Sequence, residues 1–105
     1  MLKYELYVKD IKRAIRLIEK SIKDKTYVAF SHDDDCVDSN ALRLQIISES
    51  LKKLPADIWS DYFFEVARFI DFRNMISPRL LWDILTEKIP LLKSELQKAS
   101  RSLQS

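Results

Sequence analysis

The run Tyr4-Glu5-Leu6-Tyr7-Val8-Lys9-Asp10-Ile11-Lys12-Arg13-Ala14-Ile15-Arg16-Leu17-Ile18-Glu19-Lys20-Ser21-Ile22-Lys23 decides the fold. Tyr4, Tyr7, Ile11, Ala14, Ile15, Ile18 and Ile22 recur at three- and four-residue steps, and Lys9, Arg13, Arg16, Lys20 and Lys23 fall opposite them. With 3.6 residues per turn the first set shares one face, so the run predicts an amphipathic helix of about twenty residues with one buried side. The rest of the chain carries no strand-like alternation, repeat or low-complexity tract to compete with that period.

Working outward, residues 24–35 form a junction in which Asp33, Asp34 or Asp35 can cap the next helix, where a carboxylate meets exposed N–H groups and the positive dipole end. The second helix runs to about Lys53 and stops before Pro55. Val37, Ala41, Leu44, Ile47, Leu51 and Leu54 make its core stripe, while Leu42 and Ile46 lie well away from that stripe. Two apolar faces imply two packing partners, which can be the core and a dimer surface, or two sides of a helix deep inside a bundle. A third segment, 57–74, sets Trp59, Tyr62, Phe63, Val66, Phe69 and Ile70 on one face. The last starts at Ser77-Pro78, a good N-cap with Pro at the first helical position, and continues through Leu81, Trp82, Leu85, Ile89, Leu92, Leu96 and Ala99. Pro90 is expected to kink it, because its ring displaces the carbonyl four residues back and it has no N–H. The expected fold is all-α, an antiparallel up-and-down bundle of four helices.

Composition agrees. At 105 residues and 47% hydrophobic content the chain supports one core, expected as a single domain over 1–105. It has no Gly, where average usage of about 7% is normal, so turns that need positive φ must be few. Met1 to Asp10 carries charges throughout and no signal-like apolar core, and no later run approaches the roughly 18 apolar residues of a membrane span. A soluble, cytoplasmic protein without membrane partners is expected. The lone Cys36 cannot make an internal disulfide, and no Cys-x-x-Cys pair is available for zinc or redox chemistry.

Three blocks carry a resemblance. Ile46-Ile47-Ser48-Glu49-Ser50-Leu51-Lys52-Lys53-Leu54-Pro55, then Phe72-Arg73-Asn74, then Trp82-Asp83-Ile84-Leu85 with Ile89-Pro90-Leu91-Leu92-Lys93, are similar in order and spacing to the HepT-like branch of the HEPN superfamily. The resemblance spans roughly residues 4–98. It implies a small helical RNase or toxin component, a homodimer, and a small nucleotidyltransferase as antitoxin-like partner. The implied activity is metal-independent RNA cleavage without a cofactor. In that family the Arg-Asn pair is followed about four to six residues later by a His, often with a Tyr two further on. The resemblance therefore gives Arg73 the scissile phosphate and its developing charge, and Asn74 the orientation of the loop.

Here the pattern is incomplete. After Arg73-Asn74 come Met75, Ile76, Ser77 and Pro78, and the only His of the chain is His32. An imidazole suits general acid–base work because its pKa near 6.5 lets it take and give a proton at neutral pH. Neither Ser77 nor Arg79 can replace it, since an unassisted hydroxyl is too weak a base and Arg stays protonated. The missing Tyr is the residue that the cognate nucleotidyltransferase modifies in the family. A weakened or lost RNase is expected, with a non-catalytic adaptor that binds a nucleotidyltransferase and nucleotide or RNA as the alternative. Candidate RNA- or nucleotide-binding residues are Arg73, Arg79 and Ser77.

If the third helix keeps its period, Arg73 projects along that helix's apolar stripe, and burying a guanidinium unpaired costs several kcal/mol. Its candidate partners are Glu49, Asp71 and Asp83; if the helix instead ends near Ile70, Arg73 leans into water. Ser48 and Asp71 stand where the family usually has Gly, which allows closer helix approach.

Two charged features have plainer accounts. His32, Asp33, Asp34, Asp35, Cys36 and Asp38 offer metal-ligand types, but adjacent residues point different ways and no distant His or Cys completes a site, so no metal is expected. Residues 1–30 carry eight Lys or Arg against four Asp or Glu, and 31–40 carry four Asp and no basic residue. The basic stripe from Lys9 to Lys23 can track RNA phosphates. Glu5 and Glu19 interrupt it, which favours a solvated face.

Overall fold

The computed structural model describes residues 2–54 and 77–104, and side chains within 4–54 and 77–98. The third segment, 57–74, lies outside the described residues. The chain is an all-α bundle, as its periodicity implied. Helix α1 spans Leu2–Ile22, α2 Tyr27–Ser31, α3 Asp34–Lys52 and α4 Pro78–Asp83. A π-helical turn, Ile84–Lys88, joins α4 to α5, Ile89–Gln104.

The predicted stripe of α1 is its buried face. Ile11, Ala14, Ile15 and Ile18 are at most 4% exposed, and Val8, which the stripe did not include, joins them. This face packs chiefly on α3 and then on α5. The same core cluster holds Leu44, Ile47 and Leu51 of α3 and Leu81, Ile84, Leu85, Ile89, Leu92 and Leu96 of the last helices. Each fully buried side chain of this size contributes about 1.5–3 kcal/mol by leaving water, which is what holds three individually marginal helices together.

With no Gly available, the turn that follows α1 puts Asp24 at φ 61°. Asp tolerates the left-handed region better than most residues with a Cβ because its short polar side chain can bond locally. The chain then turns into α2, the element that the predicted junction hid. Thr26 caps it, accepting from the Ala29 N–H at 3.1 Å, and Phe30 is driven fully into the core. Asp33 proves to be the cap of α3, accepting from the Cys36 N–H at 3.1 Å.

Pro90 is accommodated by widening. The Ile89 N–H bonds back five residues to the Ile84 carbonyl, adding a residue to the turn just ahead of the ring. A wider turn moves the carbonyl that the ring would strike and absorbs the missing donor. Thr86 Oγ1 donates to the Trp82 carbonyl at 2.8 Å within the same turn. None of the helices among the described residues is long and apolar enough to cross a membrane.

Candidate functional site

Arg73 and Asn74, with Asp71, lie outside the described residues, so the site is built here from its described flank. That flank is the start of α4. Ser77 is extended, at φ −118° and ψ 145°, and its Oγ accepts from the Leu80 N–H at 3.1 Å, with Pro78 next in the first turn. The hydroxyl oxygen is thus engaged as a helix cap; only its O–H remains to donate to a phosphate.

Arg79 is held on two sides. Its Nε lies 3.4 Å from Asp83 Oδ1 one turn on, and its guanidinium sits 4.8 Å from the centre of the Tyr27 ring. The cation over the ring face and the i,i+4 carboxylate both favour the same rotamer, which fixes the guanidinium beside the α4 start. Its side chain is still 65% exposed, so a phosphate can reach it. Asp83, a candidate partner for Arg73, has Arg79 as its neighbour. Behind this pair Trp82 packs on Phe30 at 5.0 Å between ring centres and on Tyr27 at 6.3 Å, locking α2 to α4. Sequence reasoning missed Tyr27 in this role. The signal was Thr26, a good cap, ahead of an aromatic pair spaced one turn apart.

His32, the chain's single imidazole, stands exposed at the C-cap of α2.

On α3, Glu49 is exposed and Ser48 and Ser50 are each 7% exposed. Leu42 and Ile46, the candidate dimer surface, are 57% and 40% exposed, with Leu17 of α1 similarly open. Arg43 reaches from α3 to α1, donating to the Leu17 carbonyl at 3.3 Å and to Asn40 Oδ1 at 3.1 Å. Asn40 is fully buried and satisfied, for Ser21 Oγ also donates to Oδ1 at 3.1 Å and Nδ2 donates to the Cys36 carbonyl at 2.9 Å.

The acidic junction is structural. Lys25 Nζ donates to Asp33 Oδ2 at 3.3 Å. Asp33 is held below the ordinary carboxylate value, first by the Cys36 N–H that it caps and then by Lys25. Lys25 is held above its ordinary value, first by hydrogen bonding to the Cys36 side chain and then by Asp33. Among the described residues no group of three His, Cys, Asp or Glu side chains is placed to share a metal ion.

Comparison with known proteins accords with this helical frame. The family described as ribonuclease HepT-like matches residues 11–99. A protein of Methanocaldococcus jannaschii named "Gamma-glutamylcyclotransferase and putative RNase" is 29% identical over 107 residues. The match covers 94% of this chain and 48% of the relative, so the chain spans about half of that protein's length. No solved structure matches. With most of its length, including the Arg73-Asn74 segment and the α4 start, inside the matched region, the chain belongs to the ribonuclease HepT-like family.

Proposed function

We propose that this chain is the HepT-like component of a toxin–antitoxin type module, in which metal-independent RNA cleavage has been weakened or lost and RNA binding retained. It acts in the cytoplasm as a homodimer beside a small nucleotidyltransferase. One observation carries the proposal: no His follows Arg73-Asn74, the chain's single imidazole being His32 at the C-cap of α2, and Ser77 serves as the cap of α4. RNA cleavage by a neighbouring 2′-hydroxyl needs one group to take a proton and another to return one. Arg73 can bind the phosphate and steady its charge, but a guanidinium does not give up its proton at neutral pH. Asn74 can orient but not titrate.

Family membership and a relative named in part as an RNase support the RNA reading. The exposed Leu42 and Ile46 support pairing of two copies, because a second chain removes both side chains from water. The same open face suits an adaptor that docks on a nucleotidyltransferase, the second reading.

Cleavage of a mixed RNA pool, with chelator present, by wild type and Arg73→Ala side by side tests the first reading. No cleavage by either is expected. Cleavage by wild type that disappears in Arg73→Ala would show that the fold has rebuilt its acid–base chemistry and would overturn the loss. Light scattering on Leu42→Asp with Ile46→Asp tests the pairing, which predicts a folded monomer from a dimeric parent.

A further inference from the structure

Two rows of exposed side chains on the outer face of α1 and α3 share one spacing. Lys9, Arg13, Leu17 and Lys20 stand at i, i+4, i+8 and i+11 of α1, and Asp38, Leu42, Ile46 and Glu49 at i, i+4, i+8 and i+11 of α3; all eight are exposed. Steps of three and four keep each row on one side of its helix, and each runs about 16 Å from end to end. The α1 row is basic at both ends and the α3 row acidic at both ends, with Leu17 inside the first and Leu42 and Ile46 inside the second. Among the described residues Lys9, Lys20, Asp38 and Glu49 make no ion pair, so nothing described within the chain uses this charge.

Contacts between the two helices fix the height of each row. Ser21 bonds to Asn40, Arg43 reaches the Leu17 carbonyl, and Lys53 lies 5.3 Å from the centre of the Tyr7 ring. The helices are therefore antiparallel, and on the scale set by those three contacts Lys20 is level with Asp38, Leu17 with Leu42, Arg13 with Ile46 and Lys9 with Glu49, each to within a turn. Inside one copy the rows stand apart, on either side of the seam that Arg43 spans. A two-fold axis lying in this face, parallel to both helices, exchanges the two edges and keeps every height. It lays the α1 row of one copy over the α3 row of the other, once on each side of the axis. Lys20 then meets the second copy's Asp38, Leu17 its Leu42, the aliphatic stem of Arg13 its Ile46, and Lys9 its Glu49. Asp10, the acid beside the α1 row, falls at the Lys52-Lys53 end of α3. A partner of another kind would have to reproduce two rows of opposite sign at this spacing, whereas a second copy carries both.

We propose that two copies dock through the α1–α3 face about this axis, with Leu17, Leu42 and Ile46 in the middle and the Lys9–Glu49 and Lys20–Asp38 pairs on both edges. The proposal rests on the reading of the protein as a dimer through Leu42 and Ile46, and adds the opposing helix, the orientation and the residues that select it. The apolar middle supplies the attraction. Exposed ion pairs add little to it, but like charges on an edge oppose every other orientation, so the edges decide which way the copies lie. The basic stripe of α1 thereby gains a use.

The test is sedimentation velocity of charge-reversed proteins at low salt, where screening is weak. Lys9→Glu/Lys20→Glu makes both edges acidic and Asp38→Lys/Glu49→Lys makes both basic, so each alone is expected at the mass of one chain. Mixed in equal amounts, the two are expected to return to twice that mass, a gain that misfolding cannot produce. A protein carrying all four reversals exchanges the signs of the rows and is expected at twice the mass, like the wild type. Half variants that stay at twice the mass while Leu42→Asp/Ile46→Asp falls to one chain overturn the charge-matched orientation and leave the dimer reading standing. So does a failure of both the mixture and the four-reversal protein to recover. A wild type at the mass of one chain, or Leu42→Asp/Ile46→Asp at twice that mass, overturns the dimer reading and the proposal together.

Discussion

Phe30→Ala tests whether α2 is a packed element or a solvated connection. Phe30 is fully buried and its ring lies 5.0 Å from that of Trp82. Truncation removes the transfer energy of a benzyl group and leaves a cavity, together about 3–5 kcal/mol for a buried Phe. Because α2 is a five-residue helix between turns, it can relax into part of that space, which favours the lower end, about 3 kcal/mol. Phe30→Leu keeps most of the volume and forfeits the ring pair, worth about 0.5–1.5 kcal/mol beyond area. Val28→Ala, on the same helix but 63% exposed, should stay within about 0.5 kcal/mol. Urea unfolding followed by circular dichroism separates the three. With a urea slope of about 1.5 kcal/mol/M, Phe30→Ala lowers the midpoint by about 2 M. A loss below about 1 kcal/mol at unchanged slope would refute the packing argument. It would also undercut the placement of Tyr27 against Arg79, which depends on the same docking.

Three further outcomes follow from the flanks of the site. Ser77→Ala should cost about 1 kcal/mol in urea melts through loss of the α4 cap, whereas Ser77→Asp should retain it; equal melts for both would remove the cap from the account. Asn40→Leu should cost about 1–3 kcal/mol, because Ser21 and Arg43 lose their shared acceptor inside the bundle, and a neutral result would mean water replaces the amide. Asp33 has a depressed pKa, so its contribution is complete above the unfolded carboxylate value and is lost as pH falls through the folded one. Lys25 has a raised pKa, so its contribution is complete below the ordinary lysine value and is lost as pH rises through the folded one. Asp33→Asn keeps a capping side chain and removes the charge. It should flatten the acid limb of the urea midpoint against pH, and an unchanged limb would count against a depressed Asp33 carboxylate.

Much of the helical frame was legible because it rests on periodicity and caps, which are local. The stripe of α1, the stop before Pro55, the cap at Asp33 and the Ser77-Pro78 start all follow from residues within a turn or two of one another. Pro90 announced a disturbance, but not that the backbone would answer it with an extra residue in the turn at Ile84–Lys88. For α2 the cue was present in Thr26 and the Tyr27–Phe30 spacing, yet five residues carry too little periodic signal to stand out from a junction rich in Asp.

The chemistry divides along the same line. From sequence alone come the all-α class, the Arg73-Asn74 pair and the absence of any imidazole after His32, since these are matters of residue type and spacing along one chain. Only the tertiary structure could set Arg79 against Tyr27, dock Phe30 on Trp82, and bring Lys93 of α5 to Glu19 of α1. Those meetings join residues that are 52 positions apart for Tyr27 and Arg79 and 74 for Glu19 and Lys93, and helix-to-helix packing, not local propensity, decides which edges meet.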